Sequence, residues 1–126
     1  MVSGAPDLTV GIMVPQITVE ELSQKINSQE HFILLDVREP YELDYAKITD
    51  ARLEVTPTSR LASQGFSALS AQAQSKDACI YVMCHQGVRS ADVTRWLVAQ
   101  GWTNVFSVRG GIDAYARQVD PSVGLY

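Results

Sequence analysis

The run Cys84-His85-Gln86-Gly87-Val88-Arg89 brings a thiol, a glycine and an arginine into one short segment. The apolar stretch Ala78 to Met83 before it reads as a buried strand, which leaves Cys84 at the strand's carboxyl end. In open α/β sheets ligands collect there. Gly87 can take backbone conformations closed to other residues, and a capped helix is expected from about Ser90. A tight loop so placed can turn successive N–H groups inward as an anion-binding nest, with the positive helix end behind it. Such a nest favours thiolate over thiol and activates the nucleophile without a separate base. It also stabilises anionic reactants.

Cys84 is therefore the expected nucleophile, with His85, Gln86, Gly87, Val88 and Arg89 as the substrate-binding loop. Arg89 supplies a fixed positive charge at the rim, and His85 shapes access. A cysteine closing a buried strand is ordinarily a small core residue. The glycine, the arginine and the helix start are what such a core residue does not need. Cys79, inside the strand, is read as core. Asp36 and Arg38 end the other central strand beside the expected pocket and are supporting residues. Asp36 is expected to orient Arg89 or the loop amides by charge-assisted hydrogen bonds. Arg38 either pairs with Glu39 or Glu42 as a solvated ion pair or faces an incoming anion.

Several elements must hold these residues. Thr18 and Glu21 form a capping box, with Val19, Leu22 and Ile26 on one helical face ending near Asn27. Phe32 to Val37 is apolar but for Asp36, as in a strand covered on both faces. Pro40 suits the first turn of a short helix. Leu53-Glu54-Val55 reads as a strand stopped by Pro57, and Ser59 to Gln74 as a helix interrupted at Gly65. After the helix that carries Val93, Trp96 and Leu97 come a strand over Val105 to Val108, the turn Gly110-Gly111, and a helix bearing Ile112, Tyr115 and Val119. Trp96, Trp102 and Tyr115 are packing residues. This alternation favours a parallel α/β sheet with helices on both faces.

The chain has 126 residues, of which 46% are hydrophobic, enough for a single core. Residues 1–15 read as an arm or edge strand and residues 16–126 as one domain. A net charge of -4 gives no broad field for nucleic acid or an anionic membrane. No apolar run approaches the roughly 20 residues that span a bilayer, and Met1 to Pro15 lacks a basic start and a sustained apolar core. If Cys79 and Cys84 lie in one strand, their Cα atoms are about 16 Å apart, beyond the ~7 Å limit for a disulfide. Two free thiols suit a reducing cytoplasm. No metal or cofactor is called for.

Leu34-Leu35-Asp36-Val37-Arg38-Glu39-Pro40-Tyr41-Glu42 resembles the first signature of rhodanese-like domains. Cys84 to Ser90 resembles their active-site loop, and Val108-Arg109-Gly110-Gly111-Ile112 their closing motif. The resemblance implies a rhodanese-like α/β fold with a central five-stranded parallel sheet. It also implies a persulfide on Cys84, and sulfur transfer from thiosulfate or another small or protein-bound donor to a thiol, cyanide or protein acceptor. Ala46-Lys47-Ile48-Thr49-Asp50-Ala51 stands where the family commonly has a Gly-His-Ile segment and a Gly-Ala turn.

Two rivals remain at this level. Phosphatases and arsenate reductases of related architecture use Cys-x5-Arg, whereas Cys84 to Arg89 is Cys-x4-Arg, a tighter nest fitted to sulfur itself. A non-catalytic interaction or regulatory module of the same fold is disfavoured by the presence of Cys84.

Overall fold

The computed structural model describes residues 14–126, so the arm or edge strand read over residues 1–15 lies almost wholly outside the described residues. Five strands, Gln16–Ile17 (β1), Ile33–Asp36 (β2), Leu53–Val55 (β3), Ile80–Met83 (β4) and Val105–Val108 (β5), form one sheet. Every pairing is parallel, and the order is β1-β5-β4-β2-β3. The helices are Val19–Ile26 (α1), Thr58–Gln64 (α2), Val88–Ala99 (α3) and Gly111–Gln118 (α4). Short 3-10 turns cover Pro40–Asp44, Gly65–Ala68 and Pro121–Val123. Among the described residues no helix is long and apolar enough to cross a membrane.

The unbroken apolar runs of β2 and β4 follow from this layering. Ile33 and Leu35 of β2 and Ile80 and Val82 of β4 pack with Leu61 of α2 and with Val93 and Leu97 of α3. Leu34, Tyr81 and Met83 point to the other face, against Val19 and Leu22 of α1 and Ile112 and Tyr115 of α4. Both parities are therefore apolar. Burying one such Leu or Ile is worth about 1.5–3 kcal/mol, and Leu22, Leu34, Leu35, Ile80 and Leu97 are all fully buried. Thr18 caps α1 as expected: its Oγ1 accepts from the Glu21 N–H (3.1 Å), and Glu21 accepts from the Thr18 N–H (2.9 Å).

One expected element is much shorter. Of the stretch Ser59 to Gln74, only Thr58–Gln64 is α-helical, and Gly65 at φ 61 ends it. Tertiary contacts take over the backbone groups beyond. The Trp102 indole N–H donates to the Ala73 carbonyl (2.9 Å), and the Gln74 side-chain amide donates to Leu69 O (2.9 Å). Leu69 and Ala73 are thereby buried in turns rather than along a helical face.

The sheet delivers its central strand to the site. β4 stands in the middle, and its end is tied to β2 by the Val37 N–H donating to Met83 O (3.0 Å). Behind the loop that follows β4, α4 approaches closely. The Ile112 N–H donates to Cys84 O (2.9 Å) and the Asp113 N–H to His85 O (3.0 Å). The free amides of one helix start thus satisfy the first two carbonyls of the loop. Gly111 (φ 63) permits this contact, because a Cβ there would lie 2.4 Å from His85 O and 2.5 Å from Cys84 O.

Gly111→Ala should therefore destabilise the protein by more than about 1 kcal/mol, through positive φ and backbone overlap together. Urea unfolding is the measurement. An unchanged midpoint would contradict the close packing of α4 on the loop.

Candidate active site

Cys84 leaves β4 with its side chain on the α2/α3 side of the sheet and is 1% exposed. Its Sγ accepts from the Gly87 N–H (3.1 Å) and the Ser90 N–H (3.3 Å), and lies 3.4 Å from Ser90 Oγ. The expected nest is present in part: two loop amides reach the sulfur. Gly87 makes the turn at φ 101 and is the N-cap residue of α3. A Cβ at this position would lie 3.0 Å from the Gly110 nitrogen.

Helix α3 begins two positions earlier than expected, at Val88, and Ser90 does not cap it. With Gly87 turning the chain, Ser90 falls in the first turn, where its buried side chain faces the sulfur. Its hydroxyl also donates to Gly87 O (3.2 Å) and shares a hydrogen bond with Ser107 Oγ (2.8 Å). Sequence reasoning placed Ser90 in the loop motif as a helix cap but missed its contact with the sulfur, and missed Ser107 altogether. A small hydroxyl in the first turn of the helix that follows the loop was the available signal.

The charged residues pair differently from expectation. Asp36 does not orient Arg89 or the loop amides; its carboxylate holds Arg38, from Arg38 Nη2 (2.7 Å) and from Nε (3.0 Å). Arg38 is not a solvated ion-pair partner and does not face an incoming ligand. It is fully buried and gives its remaining Nη1 to Glu42 O (3.3 Å) and the Tyr126 hydroxyl (3.1 Å). The spacing explains the swap, since Arg38 folds back on its own strand end and also donates its backbone N–H to Asp36 (3.1 Å). Burial disfavours the charge on Arg38, but the bonds to Asp36 outweigh it and its pKa is raised.

Arg89 forms a bidentate pair with Glu42, Nη1 to Oε2 at 2.7 Å and Nη2 to Oε1 at 2.9 Å. Its charge at the rim is thus matched by Glu42 rather than by Asp36, the carboxylate that the sequence reading set beside it. The Arg89 guanidinium holds the Glu42 carboxyl down to about 2 against the effect of burial, helped by the Glu39 N–H and the Tyr126 hydroxyl. Glu42 in turn raises the pKa of Arg89.

Tyr126 was invisible to motif reasoning. Its hydroxyl donates to Glu42 Oε1 (2.9 Å) while accepting from Arg38, and its ring stacks on His85 at 3.7 Å and 5°. The tail is brought there by the Lys47 N–H donating to Val123 O (2.8 Å), within the segment that departs from the family pattern. Ala46 and Ile48 of that segment are core residues. His85 is thus one wall of the site, its Nε2 buried without a hydrogen-bond partner among the described residues. Gln86 and Val88 are exposed on the outer side of the loop. Cys79, at the other end of β4, is a half-buried free thiol packed against the α1/α4 core.

Comparison with known proteins gives concordant matches. The family model described as Rhodanese-like domain matches residues 18–118. A chloroplastic rhodanese-like/PpiC domain-containing protein 12 of Arabidopsis thaliana is 35% identical over 116 residues, 90% of this chain and 38% of that protein. A sulfurtransferase of Allochromatium vinosum is 35% identical over 114 residues, 88% of this chain and 96% of that protein. Among solved structures, a rhodanese-like domain protein from Staphylococcus aureus superposes with a TM-score of 0.65 at 27% identity. That superposition covers 80% of this chain and 90% of the other. The chain thus spans little more than a third of the Arabidopsis relative and nearly all of the Allochromatium one.

The Glu42 pair has a pH signature. Its carboxyl lies at about 2 in the fold against an ordinary 4.5, so between these values the unfolded chain binds the extra proton. The stability the pair contributes is present above about pH 4.5 and is lost as pH falls through about 2. Urea stability should fall more steeply over this window in the wild type than in Glu42→Gln. Equal slopes would contradict the pairing.

Proposed function

The chain belongs to the rhodanese-like domain family, and on that premise we propose that it is a sulfurtransferase carrying sulfane sulfur as a persulfide on Cys84. The observation that carries this reading is the pair of N–H groups, from Gly87 and Ser90, directed at Cys84 Sγ. A neutral core thiol gains little from them. An anionic sulfur gains on the order of 1.5–3 kcal/mol from each.

The first half-reaction is attack of the Cys84 thiolate on the outer sulfur of a donor, thiosulfate or another sulfane compound. The Cys84 Sγ–S bond forms, the donor's S–S bond breaks, and its electron pair leaves with sulfite or thiolate. In the second, a thiophilic acceptor (a thiol, cyanide or a protein group) bonds to that outer sulfur, the Sγ–S bond breaks, and its electron pair returns to Cys84 as thiolate. Gly87 and Ser90 hold the sulfur, and α4 fixes the loop through Cys84 O and His85 O. Val88 and Gln86 present the loop's outer surface to the reactants, and His85 forms a wall. Asp36 and Arg38 act from below, through Glu42 O and Tyr126 rather than through contact with the donor.

A second reading rests on burial. Cys84 is 1% exposed, and a non-catalytic interaction module of this fold could keep its thiol covered. Turnover separates the two. Cys84→Ser should abolish transfer of sulfur from thiosulfate or a persulfide to cyanide with little change in unfolding midpoint, whereas Cys79→Ser should retain it. Equal turnover by Cys84→Ser and wild type would overturn the assignment of Cys84, and no turnover by any of the three proteins would favour the module.

A further inference from the structure

The charges around the loop restrict the donor. Both oxygens of Glu42 engage Arg89, and the Asp36 carboxylate engages Arg38, so the two cations of the site face two anions. Arg38 is also sealed from solvent. His85, Gln86, Gly87 and Val88 add no fixed charge, and the whole chain carries -4. The Gly87 and Ser90 amides are directed at Cys84 Sγ and serve the sulfur itself, so no unpaired side-chain cation is added to the loop's own N–H groups.

We infer that the sulfur donor of this site is a persulfide, R–S–SH, rather than the thiosulfate dianion, and that Glu42 is the residue that sets this preference. The inference rests on Cys84 being the sulfur carrier. Attack on thiosulfate brings an anionic sulfur against a group of charge -2 where Glu42 has cancelled the nearest exposed cation. Attack on a persulfide brings it against an outer sulfur that need carry no charge. The Sγ–S bond forms as the R–S bond to that sulfur breaks. The bonding pair leaves on R–S, which takes up one proton, and no oxidant or reductant is consumed. Removing the carboxylate frees Arg89, which is partly exposed at the rim, to meet an anion. One unit of charge at the rim, screened as at a partly exposed site, changes encounter and attack roughly tenfold.

The arrangement of Glu42 makes the effect specific. It is a buried carboxylate with three side-chain partners, namely both Arg89 nitrogens and the Tyr126 hydroxyl, and it also accepts from the Glu39 N–H (2.9 Å). It does not swing away to release Arg89 without giving up all of them. Gln in its place keeps the shape and removes the charge.

The test is the rate of sulfur loading on Cys84, followed by intact-mass spectrometry. The donors are thiosulfate, the persulfide of free cysteine, and a peptide-borne cysteine persulfide. Wild type should load from one or both persulfides at least tenfold faster than from thiosulfate. The faster of the two identifies a small-molecule or a protein-borne source. Glu42→Gln should raise the thiosulfate-to-persulfide rate ratio roughly tenfold, with the gain suppressed by salt. Gln86→Lys, at an exposed position and independent of the buried pair, should shift the ratio in the same direction. Thiosulfate loading equal to or faster than persulfide loading in wild type, or an unchanged ratio in both variants, would overturn the inference while leaving Cys84 as carrier. No sulfur on Cys84 from any donor would instead overturn the carrier reading itself.

Discussion

Helix starts leave backbone N–H groups without partners inside the helix, and this molecule arranges two of them around one loop. Those of α4 bind Cys84 O and His85 O from behind, and the Ser90 amide in the first turn of α3 joins that of Gly87 on Cys84 Sγ. The rest of the site depends on this division. Glycines stand at the two positions where it would fail: Gly87 turns the chain at positive φ, and Gly111 lets α4 come within reach of the loop carbonyls. A parallel sheet with β4 at its centre places both helix starts at the same end of the molecule.

Around this polar centre the ions are organised as neutral pairs. Taking Arg38 wholly out of water is tolerable only because Asp36 engages one edge of it through Nε and Nη2, with a carbonyl and a phenol taking the remaining nitrogen. Arg89 and Glu42 repeat the pattern nearer solvent. Tyr126 links the two pairs: its phenol, whose pKa burial raises, donates to Glu42 while accepting from Arg38. The consequence is a rim with an arginine but little net positive charge.

The fold was legible from periodicity because its signals are local: the Thr18 and Glu21 capping box, the apolar runs of β2 and β4, and Gly110-Gly111 at the start of α4 all stand where the residues implied. The helix expected over Ser59 to Gln74 fell short because Gly65 ends it at positive φ, and in the turns beyond, Trp102, distant in sequence, takes the carbonyl of Ala73. At the site, Cys84, Gly87 and the loop could be read from spacing. Pairings could not. Arg38, Arg89, Asp36 and Glu42 permit several ion pairs, and the choice between them is made by which side chains the sheet brings within 3 Å of one another. Tyr126 carries no motif, so its place against His85 depends on the path of the tail alone.

The central claim is that the sulfur held by the Gly87 and Ser90 amides is the one that carries sulfane sulfur. Peptide mapping by mass spectrometry, after exposure to a sulfane donor and alkylation of remaining thiols, tests it most directly. One added sulfur atom is expected on the peptide that contains Cys84 and none on Cys79. Added sulfur on Cys79 alone, or on neither cysteine, would contradict it.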